Sequence, residues 1–211
     1  MPQIVEHRLQ PSKIIGIGVN YRAHAREMGK GLPDEPLMFL KPTSALIPNG
    51  APIWRPAGYE RVDYEGELGV VIKQRTQRIS REHALDAVLG YTCVNDVTVR
   101  DLQKKDGQWT RAKGFDTFCP TGPKIVAGLD PTDLRLITRV NGDIKQDSST
   151  SDMVFDVATL IAFCSQYMTL EAGDLITTGT PAGVGNLDPG DLVEIEIAGI
   201  GTLSNPVIAR P

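Results

Sequence analysis

Glycine and proline interrupt this chain so often that its apolar runs stay short: 21 Gly and 15 Pro are scattered through 211 residues. Turn residues at that density suit many brief strands better than long helices. Apolar runs at residues 13–19, 37–41, 64–73, 89–95, 134–141, 174–178, 192–197 and 202–209 read as strands. Helical composition is confined to residues 20–28, 80–88 with Ser80 as N-cap, 97–104 and 153–168. In the last of these, Phe155, Leu160, Ile161, Cys164 and Tyr167 mark a wide apolar face. The stretch after residue 104, through Pro123, reads as loop-rich. Strands and helices do not alternate regularly, so the pattern predicts an α+β fold rather than a doubly wound parallel sheet. Residues 20–36, where helical composition gives way to Gly29, Gly31, Pro33 and Pro36, read as a movable flap.

Composition narrows the function classes. With 41% hydrophobic and 23% charged residues the chain reads as one globular domain over residues 1–211, long enough to bury about 70% of its unfolded surface. Its 22 Lys+Arg against 26 Asp+Glu leave no broad basic surface for nucleic acid or an anionic membrane. No apolar run approaches the roughly 18 residues that cross a bilayer, and the first residues lack an export pattern. Cys93, Cys119 and Cys164 are odd in number and far apart in apolar surroundings, which speaks against a disulfide framework and for a cytoplasmic protein.

Asp63-Tyr64-Glu65-Gly66-Glu67 places carboxylates at every second position of an expected strand, hence on one face. Aligned like charges need a compensating cation, and a hard divalent ion with oxygen ligands is the simplest, with Asp96 as the third carboxylate. An ordinary solvent-facing strand edge has the same spacing. Gly66, which permits close backbone approach, and the apolar continuation at 68–72 favour burial. His24 and Glu27, three apart in the flap, could form a general base oriented by a carboxylate, although such a pair is also common on solvated helices. His7 and His83 read as surface groups. Gly16-Ile17-Gly18 lacks the third glycine of a dinucleotide fingerprint, which is occupied by Tyr21. The turn at 177–185 could offer backbone N–H groups and Thr180 to an anion, and Lys113 lies in a polar-aromatic loop; a plain turn and a solvated lysine explain these equally well.

Six ordered blocks, GVNYRAHAREMG (18–29), MFLKP (38–42), DYEGELGVVI (63–72), NDVTVRDLQ (95–103), AKGFDTFCPTGP (112–123) and TTGTPAGVG (177–185), resemble the fumarylacetoacetate hydrolase family, in particular its short acylpyruvase-like branch. The resemblance runs from about residue 13 to the C-terminus. It implies a mixed β-roll core with a few peripheral helices, a homodimer, and Glu65, Glu67 and Asp96 holding Mg²⁺ or Mn²⁺, with Ca²⁺ also compatible. It further implies that His24 and Glu27 activate water on a lid, and that Lys113, Gln103 and Thr180, with Arg100 and Lys41 as weaker matches, contact substrate. The extra N-terminal domain of the large eukaryotic members has no counterpart, which argues against fumarylacetoacetate itself as substrate.

The expected reaction is hydrolysis of the C–C bond of an acylpyruvate or related 2,4-dioxo acid through a metal-held pyruvate enolate. The same site would serve an oxaloacetate decarboxylase, or a tautomerase or isomerase of 2-hydroxyhepta-2,4-diene-1,7-dioate type in aromatic catabolism. A noncatalytic 2-oxo acid binding protein is a further alternative, against which the His24–Glu27 pair speaks.

Overall fold

The structure, a computed structural model, describes residues 2–6, 9–29 and 31–210; His7, and Lys30 of the segment expected to form a flap, lie outside the described residues. These residues form an eight-stranded sheet ordered β1 (Gln3–Val5), β10 (Cys119–Ala127), β8 (Val88–Asn95), β7 (Gly66–Ile72), β13 (Leu175–Thr177), β2 (Ile14–Gly18) and β3 (Leu37–Lys41), with β4 (Leu46–Pro48) also paired to β10. A five-stranded sheet runs β12 (Asp143–Ser149), β11 (Arg135–Val140), β15 (Leu192–Ile197), β16 (Gly201–Ala209) and β5 (Ile53–Arg55). A small third sheet joins β14 (Gly185–Asn186), β6 (Val62–Tyr64) and β9 (Thr98–Val99). The helices are α1 (Arg22–Glu27), α2 (Arg100–Asp106), α3 (Thr110–Lys113) and α4 (Val157–Tyr167). Parallel pairs, β13 with β2 and β16 with β5, sit among antiparallel ones, so the sheets are mixed and the α+β expectation holds.

Strands β2 and β7 are buried at every position, which is why their sequences, Glu67 apart, are continuous apolar runs rather than alternating ones. Ile15, Leu68, Leu136, Leu160, Ile161 and Ile195 belong to one core cluster between the two large sheets and α4. A Cβ on Gly66 would stand 2.2 Å from the Thr138 hydroxyl of β11, so the two sheets meet there at a separation only glycine allows.

Several boundaries differ from the sequence reading, each for a local reason. The single strand expected at 64–73 is broken at Glu65, where the chain leaves the small sheet and enters the large one. The helix expected at 80–88 is a 3-10 helix over Arg81–Ala87; burial of Ala84 and Ala87 every third residue matches that tighter period, and the Ser80 side chain makes no capping bond. Residues 98–99 pair with β6 before α2 begins at Arg100. The helix expected from 153 starts at Val157, capped by Asp156, whose carboxylate accepts from Thr159 N–H at 2.8 Å. Strand β10, whose first half fell in the stretch read as loop-rich, accommodates Pro123 where its register with β8 shifts between Gly122 and Val126. Strand β12 was hidden by its polarity, which suits the sheet edge it occupies.

Candidate active site

The passage from β6 to β7 brings the acidic residues together. Asn95, at the end of β8, pairs with Gly66 at the start of β7, so the next residue, Asp96, arrives beside Glu65. Two hydrogen bonds lock the junction: Asp96 N–H donates to the Glu65 carbonyl at 2.9 Å, and Glu65 N–H donates to Asn95 Oδ1 at 3.0 Å. As a result Glu65, Glu67 and Asp96 are buried and each places a carboxylate oxygen within 4.8 Å of the others. The solvent-facing alternative for these acids is thereby overturned.

Buried cations partly balance them. Lys113 Nζ donates to Glu65 at 2.8 Å, Asp96 at 2.5 Å and the Thr98 hydroxyl at 2.8 Å. Arg100 bridges Glu65 (2.5 Å) and Asp63 (2.8 Å), so Asp63 is neutralised apart from the other three acids. Lys41 donates to the second oxygen of Asp96 at 2.5 Å and is fully enclosed, outside the walls of the cavity described below. Burial would raise the Glu65 carboxyl, but Lys113 and Arg100 outweigh it and hold it down at about 2. Glu67 has the opposite fate. Burial, then repulsion from Asp96 and Glu65, push its carboxyl well above the ordinary range, against the opposing pull of Lys113 and of a hydrogen bond donated by Gly179 N–H at 2.9 Å. A set of three convergent oxygens short of positive charge fits a hard divalent cation. A cavity of about 20 Å³ touching Glu65, Glu67, His24 and Lys113 has room for about one water-sized body.

The segment from Val19 to Glu27 supplies the other half. Val19 turns the chain from β2 into α1 at φ 55, a left-handed conformation costly for a β-branched residue. Asn20 fixes that turn by accepting from Phe155 N–H (2.9 Å) and donating to the carbonyls of Thr178 (2.8 Å) and Phe155 (3.0 Å). Helix α1 then aims the buried His24 at the acids, with Nδ1 3.0 Å from Glu27 Oε2. A carboxylate can only accept, so Nδ1 is the donor to Glu27 and Nε2 is the ring nitrogen left for the cavity. Gly183 N–H donates to Glu27 at 3.1 Å. His24, Arg100 and Gln103 also border a wider cavity of about 530 Å³, whose outer wall includes Glu27, Arg61 and Lys104. Gln103 accepts from Arg100 at 2.8 Å, and Thr180 lines the inner cavity while its hydroxyl donates to the Gly66 carbonyl at 2.9 Å.

Three contributors were not anticipated. The Gly16-Ile17-Gly18 pair clears space for two aromatic rings: a Cβ on Gly16 would lie 2.1 Å from Phe39, and one on Gly18 2.4 Å from Trp109. Those rings pack edge-on at 5.4 Å and lie 4.9 Å and 5.8 Å from Lys113 Nζ. The turn at 177–185 uses its N–H groups on the protein's own carboxylates, Gly179 on Glu67 and Gly183 on Glu27. Tyr64 donates to the Gly183 carbonyl at 2.8 Å. The glycines were the available signal; their partners lie too far away in sequence to be read.

Residues 13–208 match the family model described as fumarylacetoacetate (FAA) hydrolase C-terminal. The chain is 47% identical to an oxaloacetate tautomerase, YisK, of Bacillus subtilis, over 94% of this chain and 70% of that one. It is 50% identical to a 2-hydroxyhepta-2,4-diene-1,7-dioate isomerase structure from Mycobacterium marinum, with a TM-score of 0.90 over 95% of this chain and 76% of the other. A fumarylpyruvate hydrolase from Pseudomonas aeruginosa, solved with Mn²⁺ and pyruvate, is 32% identical with a TM-score of 0.92, covering 98% of this chain and 93% of that one.

Proposed function

The chain belongs to the fumarylacetoacetate hydrolase family, and from its site we propose a divalent-metal-dependent enzyme that hydrolyses the C–C bond of acylpyruvates and related 2,4-dioxo acids. The single observation that carries this reading is the His24–Glu27 pair, oriented by Gly183 and facing the cavity that contains Glu65 and Glu67. Glu65, Glu67 and Asp96 would hold Mg²⁺ or Mn²⁺, which when bound would act as a Lewis acid toward the carboxylate and 2-oxo oxygens of the substrate.

The chain's own groups do the rest. His24 Nε2 takes a proton from water, and Glu27 stabilises the imidazolium so formed. The hydroxide adds to the C4 carbonyl; the C3–C4 bond breaks, its electron pair passing into the enolate of pyruvate while the C4 fragment leaves as a carboxylic acid. The imidazolium can return its proton to C3, giving pyruvate. Lys113 places positive charge beside the developing enolate, and Phe39 and Trp109 hold its ammonium in position. His24, Glu27 and Met28, which border the cavities, would help to exclude bulk water from the reacting atoms.

A second reading, tautomerisation or isomerisation of a 2-oxo dicarboxylic acid, is favoured by Lys104 and Arg61 on the outer wall, which suit a distal carboxylate. Loss of CO₂ from oxaloacetate calls for no base and leaves the His24–Glu27 pair without a task. The test offers metal-loaded protein acetylpyruvate and, separately, enol oxaloacetate, with chelated and His24→Ala controls. The expected result is hydrolysis of acetylpyruvate that the chelator and His24→Ala each reduce at least 100-fold. Ketonisation of oxaloacetate without any hydrolysis would replace the first reading with the second, and indifference of both reactions to His24→Ala would overturn both.

A further inference from the structure

We propose that Tyr64 and the Gly183 turn form a positioning element that holds Glu27 against His24; this rests on the reading of His24 as the base. The chain of contacts is continuous. Tyr64 Oη donates to the Gly183 carbonyl at 2.8 Å, Gly183 N–H donates to Glu27 Oε1 at 3.1 Å, and Glu27 Oε2 lies 3.0 Å from His24 Nδ1. Glu27 needs such an anchor, because its side chain is 41% exposed at the end of a helix of only six residues. A glutamate left to water there would sample several rotamers, and the imidazole would lose its fixed direction.

The turn is built to be rigid on the sides away from Glu27. Gly183 adopts φ +97, and a Cβ on it would stand 2.2 Å from the Lys145 carbonyl, so the turn lies directly on β12. The neighbouring Gln146 donates to the Thr180 hydroxyl at 2.8 Å and the Pro181 carbonyl at 2.9 Å. Gly185 pairs with Tyr64 between β14 and β6, and a Cβ there would come 2.9 Å from Tyr64 Oη, so a bare residue leaves the hydroxyl its place. Tyr64 itself is buried and adjoins Glu65, which ties the base to the strand junction that carries the acids.

Tyr64→Phe removes one hydroxyl and leaves the ring. It is expected to lower kcat for acetylpyruvate about tenfold, with KM within twofold. Gly185→Ala, which crowds the hydroxyl without removing it, should reproduce the effect and guards against misfolding of the first variant. In a Glu27→Ala background Tyr64→Phe should have no further effect on kcat, since the group it positions is gone. A readout free of turnover is the His24 Nδ1–H proton resonance at neutral pH, identified by its loss in His24→Ala; it should shift or broaden in Tyr64→Phe and Gly185→Ala. A kcat loss that persists undiminished in the Glu27→Ala background, or an unmoved imidazole resonance in both folded variants, would overturn the proposal. Full activity of His24→Ala would instead count against the function proposed above, and the resonance would still decide the role of Tyr64.

Discussion

Replacing Glu67 by Gln should stabilise the metal-free protein while sharply weakening its response to metal. Glu67 and each of its two acidic neighbours bring oxygens within 4.8 Å, and one pair of unit charges at that separation interacts by about 3.5 kcal/mol at an effective dielectric of about 20. Lys113 offsets part of the repulsion from Asp96 and Glu65, leaving a net penalty of about 1 to 3 kcal/mol. For a chain of this length each kcal/mol moves Tm by roughly 2–4 °C. Gln keeps a carbonyl oxygen to accept from Gly179 N–H and removes only the charge. Because the folded Glu67 carboxyl is raised, its penalty is absent below the unfolded value of about 4.3, grows from there up to the folded one and levels off above it. The chelated variant should therefore melt several degrees above the chelated wild type at pH 8, with the gap closing toward pH 4. Added Mn²⁺ or Mg²⁺ at about 100 times its Kd should raise the wild type by about 2.7 kcal/mol and the variant far less. Differential scanning calorimetry at several pH values, with and without chelator, measures all of this. A chelated Gln variant melting at or below wild type, or an undiminished metal response, would refute the charge argument.

Two further outcomes follow from packing and hydrogen bonding. Asp174 is enclosed and accepts from Ser12 N–H (2.9 Å), Ser12 Oγ (2.7 Å), Lys13 N–H (3.1 Å) and Glu171 N–H (2.8 Å), besides the Lys13 ammonium. Burial opposes its ionisation, but Lys13 and the N–H donors hold its carboxyl below the usual value; Asp174→Asn should cost about 2–4 kcal/mol at pH 7, a difference that shrinks as pH falls below about 4, read as Tm at pH 7 and pH 3. Gly18→Ala should displace Trp109 and destabilise by about 1–3 kcal/mol in urea titrations, whereas Gly31→Ala, with open space around it, should change stability by less than about 1 kcal/mol.

What the sequence made legible was whatever a local period determines. Glu65 and Glu67 two apart on a strand, and His24 and Glu27 three apart on a helix, are pairs whose meeting depends on a few residues of regular backbone, and the structure brings both pairs together. Asp96 was reachable because a strand followed by an acid puts that acid at the sheet's end. The cations and donors that decide the chemistry of these groups were not legible in the same way. Lys41 reaches Asp96 across 55 positions, Gly179 reaches Glu67 across 112, and Gly183 reaches Glu27 across 156. Such contacts are set by the order of strands, with β13 placed between β7 and β2 so that the turn following it opens over both acidic groups. A glycine in a one-dimensional pattern signals that something approaches closely, and here it concealed three different neighbours: an aromatic ring at Gly18, a second sheet at Gly66 and a backbone carbonyl at Gly183. The turn at 177–185 illustrates the gap most directly. Its free N–H groups suggested a ligand's anion, yet two of them serve Glu67 and Glu27. The same short loop therefore holds both Glu67 and the carboxylate that meets His24, so a displacement of that loop would disturb both at once.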